Sequence, residues 1–361
     1  MKILRRYILQ EIWLPFVLCF STLSFIFMAG YLVRAANFII GRGVPLWDTL
    51  WVLVLAMPEM ISYTAPMSIL MAVLIVFGNL SQNNEIRAVK ASGIHPFQIM
   101  LPAFWIGLGL SLLMFIFNDQ VTTSAGFELR RITKKMLIQH PQAVIEPGRF
   151  VKLTDSITFR AKKLIGNQIQ DIVAYENEGT DKPVRTVIAE RGEIITGAGG
   201  KTEMQIRLYD GTVSDEDKSS VQSIQFKTYE FPTVGQEDVQ LLQKKTREKT
   251  LAELLIQSAG LDLSRDQQME ISSSFHQRIA FAFGSFIFVL LGIPIAVLVH
   301  RGEIILSFGI SLAAASFYYV LFVGAKTLAL QGFMPALVAF WAPNILLGAL
   351  GFKLLKKAVA V

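Results

Sequence analysis

Residues 58–98 read PEMISYTAPMSILMAVLIVFGNLSQNNEIRAVKASGIHPFQ, a long apolar run followed by a short charged segment. A second apolar run, 97–118, begins at the end of that segment. A helix of about 20 mostly apolar residues is long enough to cross a bilayer. The stretch therefore predicts two membrane-spanning helices joined by a short polar connection, and this arrangement decides the fold class of the chain.

The composition of the whole chain is typical of a membrane protein. Of its 361 residues, 52% are hydrophobic and 17% are charged, and the mean hydropathy is +0.47, whereas a soluble domain has about 25% charged residues. The net charge of +6 would suggest nucleic-acid binding in a soluble protein. Here the basic residues flank apolar spans, so they indicate orientation in a bilayer, and no nucleic-acid partner is expected. Cys19 is the only cysteine, which excludes a disulfide within the chain.

Six apolar runs are long enough to span a membrane. They cover residues 12–33, 49–80, 97–118, 279–299, 304–325 and 334–352. Simple alternation places one set of basic residues on a single side, namely Lys2, Arg5, Arg6, Arg87, Lys90, Arg301, Lys353, Lys356 and Lys357. Because basic loops favour the cytoplasm, this side, with both termini, is predicted to be cytoplasmic.

The chain thus divides into three parts. Residues 1–118 hold three spans and a short cytoplasmic helix near 81–93, residues 119–278 form a polar insert, and residues 279–361 hold three more spans. A long insert is translocated largely regardless of its charges, so 119–278 is predicted to lie outside the cytoplasm. The fold class is therefore an α-helical membrane protein with six transmembrane helices and an inserted periplasmic domain.

The insert alternates apolar and polar residues with a period of two. Gly, Asp, Asn and Pro separate these segments, which predicts an all-β domain, an antiparallel sheet buried on one side and either rolled or sandwiched. The side chains expected to line its interior are Ile157, Phe159, Met204, Ile206, Ile224 and Phe226. Thr250 with Glu253 predicts a capping box for a helix that leads toward the fourth span.

Two features of the sequence suggest a phosphate-binding loop and a metal site, but neither site is predicted. GAGGKT (197–202) resembles the end of a phosphate-binding loop, but Ile195 stands where the motif needs glycine and no helix pattern follows, so a hairpin turn is predicted. The histidines, His95, His140, His276 and His300, are scattered without ligand spacing, so no metal site is expected. No nucleophile–base or paired-carboxylate pattern argues for an enzyme.

Three charged residues at the predicted spans allow two interpretations each. Glu59 lies inside the second span, where it is either a proton-relay group or an acid near the outer end that a neighbour satisfies. Arg34 closes the first span and Arg42 follows in the outer loop. They either anchor the chain at the interface or hold an anionic lipid head group.

The charged segment between the second and third spans has the pattern of a short helix. Ser81 is a candidate cap, Ser92-Gly93 a stop, and Ile86 and Val89 share a face at i, i+3. Glu85 lies in the first turn. The segment is either a solvated helix on the membrane surface or a coupling helix whose Glu85, Ile86 and Val89 dock in a groove of a cytoplasmic partner.

These motifs together resemble the permease family of the lipopolysaccharide-export ABC transporter, the F and G subunits, and are closer to the F type. The resemblance covers nearly the whole chain and is carried by PEMISYTAPMSILMAVLIVFGNL (58–80), NNEIRAVKASGI (83–94), LYDGTV (208–213), IPIAVLVHRGE (293–303) and WAPN (341–344). Members often carry Glu four residues before the Arg that opens the fourth span. Here Ser274 precedes Arg278, which puts that ion pair in doubt.

The resemblance implies a jellyroll-like fold for the insert and a subunit of an exporter in the inner membrane of a Gram-negative bacterium. The expected partners are a sister permease, a cytoplasmic ATPase dimer that binds the ATP, periplasmic jellyroll adaptor and bridge proteins, and lipopolysaccharide itself. No cofactor of its own and no catalysis are expected. Two alternatives remain open: an ABC-type subunit that transmits motion to a periplasmic partner without moving lipid, and an ion-coupled carrier that uses Glu59.

Overall fold

The computed structural model describes residues 2–42, 45–139, 145, 147–152, 157–177, 184–196, 203–217, 220–231, 234–235, 239, 241–258, 264–299 and 304–360. The chain divides into two compact units. The first comprises Met1–Tyr31, Ala56–Phe127 and Lys244–Val361, and the second comprises Leu32–Leu55 and Glu128–Gln243. Of the predicted insert, 119–278, the second unit contains only Glu128–Gln243. It also contains Leu32–Leu55, which includes the connection between the first two predicted spans.

Nine α-helices occur in the described residues. They are α1 (Lys2–Arg42), α2 (Leu46–Gln82), α3 (Glu85–Ala91), α4 (Phe97–Phe117), α5 (Thr123–Gln139), α6 (Leu251–Ser258), α7 (Arg265–Val299), α8 (Ile304–Leu330) and α9 (Ala336–Ala360). A π-helical turn, Asn118–Thr122, joins α4 to α5. Six segments are long and apolar enough to cross a membrane: Ile3–Val33, Leu46–Gln82, Phe97–Met136, Arg265–Val299, Ile304–Leu330 and Ala336–Val359. The six predicted spans are therefore confirmed.

The helices extend beyond the apolar runs that predicted them. The fourth predicted span begins at residue 279, whereas α7 begins at Arg265. An apolar run marks only the part of a helix that suits the bilayer, because the backbone hydrogen bonds continue through polar residues as well.

Close contacts between α2, α7 and α9 centre on glycines. A Cβ at Gly292 of α7 would lie 2.8 Å from Leu70 of α2, and a Cβ at Gly351 of α9 would lie 3.1 Å from the Leu290 carbonyl oxygen. In a lipid bilayer the hydrophobic effect does not drive helices together, so their association depends on van der Waals packing. Small residues let helix backbones approach closely enough for such packing. The bundle core is therefore set by close packing of side chains, and it encloses most of the C-terminal half of α2, residues 64–81.

A buried network of hydrogen bonds inside the bundle joins the last three helices. The Tyr318 hydroxyl of α8 donates to Asn344 Oδ1 of α9 at 3.1 Å, and Asn344 Nδ2 donates to the Ala280 carbonyl of α7 at 2.7 Å. All of the polar atoms are buried. Because an unpaired amide is costly in an apolar interior, this arrangement holds α7, α8 and α9 in one register.

The second unit contains an antiparallel sheet. Its strands are β1 (Val151–Lys152), β2 (Ile157–Ile165), β3 (Gln168–Asn177), β4 (Val184–Thr196), β5 (Glu203–Asp217), β6 (Ser220–Glu230) and β7 (Val234–Gly235). Consecutive strands pair from β1 to β6, and β7 pairs with the start of β5. The predicted antiparallel sheet is thus present between the flanking helices α5 and α6, and its described strands form a meander.

The sheet curls, because side chains of β3 and β6 meet directly. The Tyr229 hydroxyl of β6 donates to Glu176 Oε2 of β3 at 3.1 Å. Three strand spacings separate β3 from β6 in the sheet order, which is about 14 Å in a flat sheet. Burial, with the nearby Glu176 carboxylate, raises the pKa of Tyr229, so this phenol stays a hydrogen-bond donor. Of the two predicted arrangements, the rolled one describes this sheet.

Candidate functional site

The short helix α3 packs its apolar side against the chain's own membrane bundle. Ile86 is buried in the bundle core, and the partly buried Val89 packs against the same core. In this structure Ile86 is therefore covered by its own bundle and not free for a partner's groove, whereas docking of the half-buried Val89 remains a prediction. On a seven-residue helix, apolar positions at i, i+3 face one side, and here that side lies against the bundle.

The helix start also differs from the prediction. Ser81 lies within α2, and its hydroxyl donates to the Val297 carbonyl of α7 at 3.2 Å, so it does not cap α3. The capping position is Asn84, whose φ of 59° is left-handed. Asn tolerates this conformation better than most residues, which allows a tight turn between α2 and α3, closed by a hydrogen bond of 3.1 Å from the Asn84 amide to the Ser81 carbonyl.

Residues on the other side of α3 remain accessible. Arg87 and Ala88 are exposed, and Glu85 is half-buried. The Glu85 carboxylate accepts a hydrogen bond of 3.3 Å from the Tyr7 hydroxyl of α1. A docking partner would therefore contact Arg87, Ala88 and the exposed part of the Glu85 side chain. The helix α3 itself contacts both the bundle core, through Ile86, and α1, through Glu85.

The curled sheet encloses an apolar interior. Ile157, Phe159, Met204 and Ile206 are almost fully buried, and Phe226 is half-buried against them. Their neighbours on the same face include Ala174, Val187 and Leu208. Five of the six side chains expected in the interior thus lie there, because strict alternation on strands places them on one face.

Ile224 is the exception, with 66% of its surface exposed. It pairs in register with Val213 and lies two residues from Phe226, so it belongs to the same face of the sheet. The strand β6 pairs only with β5 among the described strands, and at this end nothing described covers its face. The expectation that Ile224 lines the enclosed interior is therefore wrong, because position at the sheet edge overrides the alternation.

Segments that flank the strands fill the interior. Ile138, from the end of α5, and Ile145 pack into it from the N-terminal side, and Phe231 and Val239 pack into it from the C-terminal side. Burying four such side chains contributes roughly 1.5–3 kcal/mol each relative to exposure. In this structure the apolar face of the sheet is closed by its own chain, except at Ile224.

The predicted head-group and relay residues are only partly located. Arg34 and Arg42 belong to α1, but their side chains lie outside the described residues. Glu59 lies on an exposed side of α2 and has no hydrogen bond or ion pair to a described residue. GAGGKT and two of the histidines, His140 and His300, also lie outside the described residues.

An ion pair that the sequence did not reveal lies at the π-helical turn. Asp119 Oδ1 accepts hydrogen bonds from Arg278 Nη1 at 3.0 Å and from the Leu251 amide at 2.7 Å. Arg278 Nη2 also donates to the Arg247 carbonyl at 3.0 Å. Arg278 thus pairs with Asp119, whereas the resemblance would have placed a glutamate at the position of Ser274.

The neighbouring residue of the turn binds a third helix. Ser62 of α2 donates to Asn118 Oδ1 at 2.6 Å. A π-helical turn inserts one residue, and here it brings both Asn118 and Asp119 to the buried side. The sequence signal was an Asn-Asp pair directly after an apolar run, but their partners are 56 and 159 residues away.

The predicted capping box is confirmed. The Thr250 amide donates to Glu253 Oε2 at 2.8 Å, and the Glu253 amide donates to Thr250 Oγ1 at 3.3 Å. Lys244, with the Thr250 amide, lowers the pKa of Glu253. The cap fixes the start of α6 beside Asp119, so the return segment from the sheet is tied to the bundle at this point.

Six membrane-spanning helices with an inserted antiparallel sheet define a multi-pass membrane protein that carries a folded domain outside the bilayer. The chain matches the family described as lipopolysaccharide export system permease LptF/LptG over residues 6–357, and it belongs to that family. It is similar to the uncharacterized protein RP871 of Rickettsia prowazekii (strain Madrid E), with 24% identity over 301 residues, 82% of each chain.

Family membership gives the coarse function. The chain is an inner-membrane permease of a lipopolysaccharide export transporter, a system with partner subunits, and its family is not a family of catalysts. The resemblance drawn from the sequence motifs is thereby confirmed.

Proposed function

We propose that this permease takes lipopolysaccharide from the inner membrane and passes it through the interior of its curled sheet to a periplasmic bridge. The observation that carries the proposal is the continuous apolar face formed by Phe159, Ile206 and Leu208, which ends at the uncovered Ile224. An apolar face that is closed at one end and open at the other would let the acyl chains of the lipid pass along it one after another.

The energetic need for such a path is large. Exposing an acyl chain of about twelve carbons to water costs on the order of 10 kcal/mol, at about 0.8 kcal/mol per CH₂. A lipid with several chains therefore needs an external energy source and unbroken apolar cover. ATP bound and hydrolysed by a partner ATPase dimer would supply the energy.

The path requires that the sheet open. Ile138, Ile145 and Phe231 occupy the interior in this structure. Acyl chains would take the place of these side chains, so one set of apolar contacts is exchanged for another at little net cost. A permease that only transmitted motion to a periplasmic partner would need no such exchange, which separates the two functions experimentally.

The proposed assembly follows from the exposed elements. Both termini and α3 lie in the cytoplasm, where Arg87, Ala88 and Glu85 contact the ATPase dimer. A sister permease completes the transport cavity. The accessible edge of β6 adds a strand of a jellyroll adaptor or bridge protein, because an unpaired edge offers backbone hydrogen bonds.

Photo-cross-linking in the complete transporter tests this function. In one variant a benzophenone amino acid replaces Phe226 of β6, which is half-buried on the interior face of the sheet. In the control it replaces Ile188 of β4, which is exposed on the opposite face of the same sheet. We expect ATP-dependent cross-links to lipopolysaccharide from position 226 and none from position 188. Equal capture at both positions, or capture that does not depend on ATP, would contradict transfer through the interior.

A further inference from the structure

An apolar groove lies between α1, α2 and α4, and all of its lining residues belong to the first unit. Its volume is about 720 Å³, within the range of about 300–1,000 Å³ typical of sites for small ligands. Ile12, Ala65 and Ile69 form a buried floor, and Trp13 and Leu113 form exposed rims. All of these helices are long and apolar enough to span a membrane, so the groove lies at the depth of a bilayer.

Aromatic rings line the α1 side of the groove. The ring centroids of Trp13 and Phe16 are 6.2 Å apart, and those of Phe16 and Phe20 are 6.0 Å apart. The groove begins at Leu9 on α1 and ends at Phe20. At about 1.5 Å per residue this distance is about 16 Å, and half of the hydrocarbon core of a bilayer is about 15 Å. The groove therefore has about the length of one leaflet.

The end of the groove at Leu9 carries positive charge. Arg5 and Arg6 lie one turn before Leu9 and Gln10, on the same side of α1 as the groove. Both are exposed, and neither forms an ion pair with a residue that the structure describes. Glu11 lies two residues from Trp13, which turns it about 200° away from the groove.

We propose that this groove binds an anionic glycerophospholipid, with acyl chains along Trp13, Phe16 and Phe20 and the phosphate at Arg5 and Arg6. The length of one leaflet fits a lipid better than a partner's transmembrane helix, which would need a groove of about 30 Å. The cationic end fits an anionic head group at the membrane surface. The site holds a resident membrane lipid, and it does not depend on the transport path proposed above.

Filling the groove tests the proposal. A Cβ at Gly109 of α4, which lines the groove, would meet no atom within 4 Å, so the side chain of Gly109→Phe would start in the open space of the groove. Gly30 of α1 is equally open and lies outside the groove, so Gly30→Phe is the matched control. The complete transporter is purified from membranes in mild detergent, and retained lipids are identified by native mass spectrometry.

We expect wild type and Gly30→Phe to retain a glycerophospholipid that Gly109→Phe loses. Arg5→Gln and Arg6→Gln should each weaken retention of phosphatidylglycerol about fivefold relative to phosphatidylcholine in mixed vesicles, since a basic side chain near a membrane contributes about that factor. Unchanged retention in Gly109→Phe overturns the proposal. So does recovery of lipopolysaccharide from this groove, or cross-linking of position 109 to a partner's helix.

Discussion

Asp119 Oδ1 lies 3.0 Å from Arg278 Nη1, although 159 residues separate the two in the chain. Each side chain is only 11% exposed. Asp119 immediately follows the third apolar run and Arg278 immediately precedes the fourth, so the pair joins the adjoining ends of these two runs. The Leu251 amide shares the same carboxylate oxygen, which ties the returning segment to both helices.

Removing one charge of this pair should strongly destabilise the bundle. In Asp119→Asn, Arg278 remains buried without its counter-charge, a change that typically costs about 3–5 kcal/mol. Denaturant unfolding of the purified permease in detergent measures the loss. Asp210→Asn is the control, because Asp210 and Arg191 are exposed and such pairs contribute about 0–1 kcal/mol. Equal losses in the two variants would contradict the role of burial.

Charge reversal on α3 should uncouple ATP hydrolysis from lipid release. We expect Glu85 to face a basic residue of the ATPase, so Glu85→Lys would place two positive charges together at the proposed contact, where several kcal/mol can be lost. Tyr7→Phe removes only the exposed hydrogen bond to Glu85 and should behave as wild type. The measurement is lipopolysaccharide released per ATP hydrolysed in reconstituted vesicles. Normal export by Glu85→Lys would show that α3 is only a surface helix.

Ile86 should have a structural effect distinct from that of Glu85. Its side chain lies in the bundle core, so Ile86→Ala should lower the free energy of unfolding by about 2–5 kcal/mol. Arg87→Ala, on the exposed side of the same helix, should leave stability nearly unchanged. Unfolding in detergent compares the two variants. A stable Ile86→Ala protein with defective ATPase binding would restore the original docking role of this residue.

The orientation can be tested with single cysteines. Replacing Cys19, the only native cysteine, gives a background in which Ala88→Cys on α3 and Lys227→Cys on β6 are each introduced. Both positions are exposed. With a membrane-impermeant thiol reagent on cells whose outer membrane is permeabilised, we expect labelling at 227 only. Labelling at 88 before the inner membrane is opened would reverse the predicted topology.

Acidification should loosen the start of α6. The salt bridge to Lys244 and the Thr250 amide lower the pKa of Glu253, so the folded state binds this proton less tightly than the unfolded chain. The capping contribution is therefore complete above the ordinary value of 4.5 and is lost as the pH falls through the lower folded-state pKa. Amide-exchange protection of Leu254 should fall over this interval. In Glu253→Gln the protection should be lower and independent of pH, and an unchanged pH dependence would exclude Glu253 as its source.

Local pattern was enough to predict the elements of this protein. The six spans follow from the length of apolar runs, because bilayer thickness sets a fixed requirement that each run meets by itself. The strands around Phe159 and Ile206 follow from alternation, and the cap of α6 follows from Thr250 and Glu253, three residues apart. Each of these signals lies within one short window of sequence.

Only the tertiary structure decided which residues cover the apolar sides of the helices and of the sheet. Periodicity showed that Ile86 lies on an apolar side of α3, but not that the bundle itself covers that side. It placed Ile224 on the interior face, but not at an uncovered edge. The partner of Asp119 lies 159 residues away, and no local pattern encodes it. A sequence determines which surfaces must be buried, whereas the packing of distant segments determines what buries them.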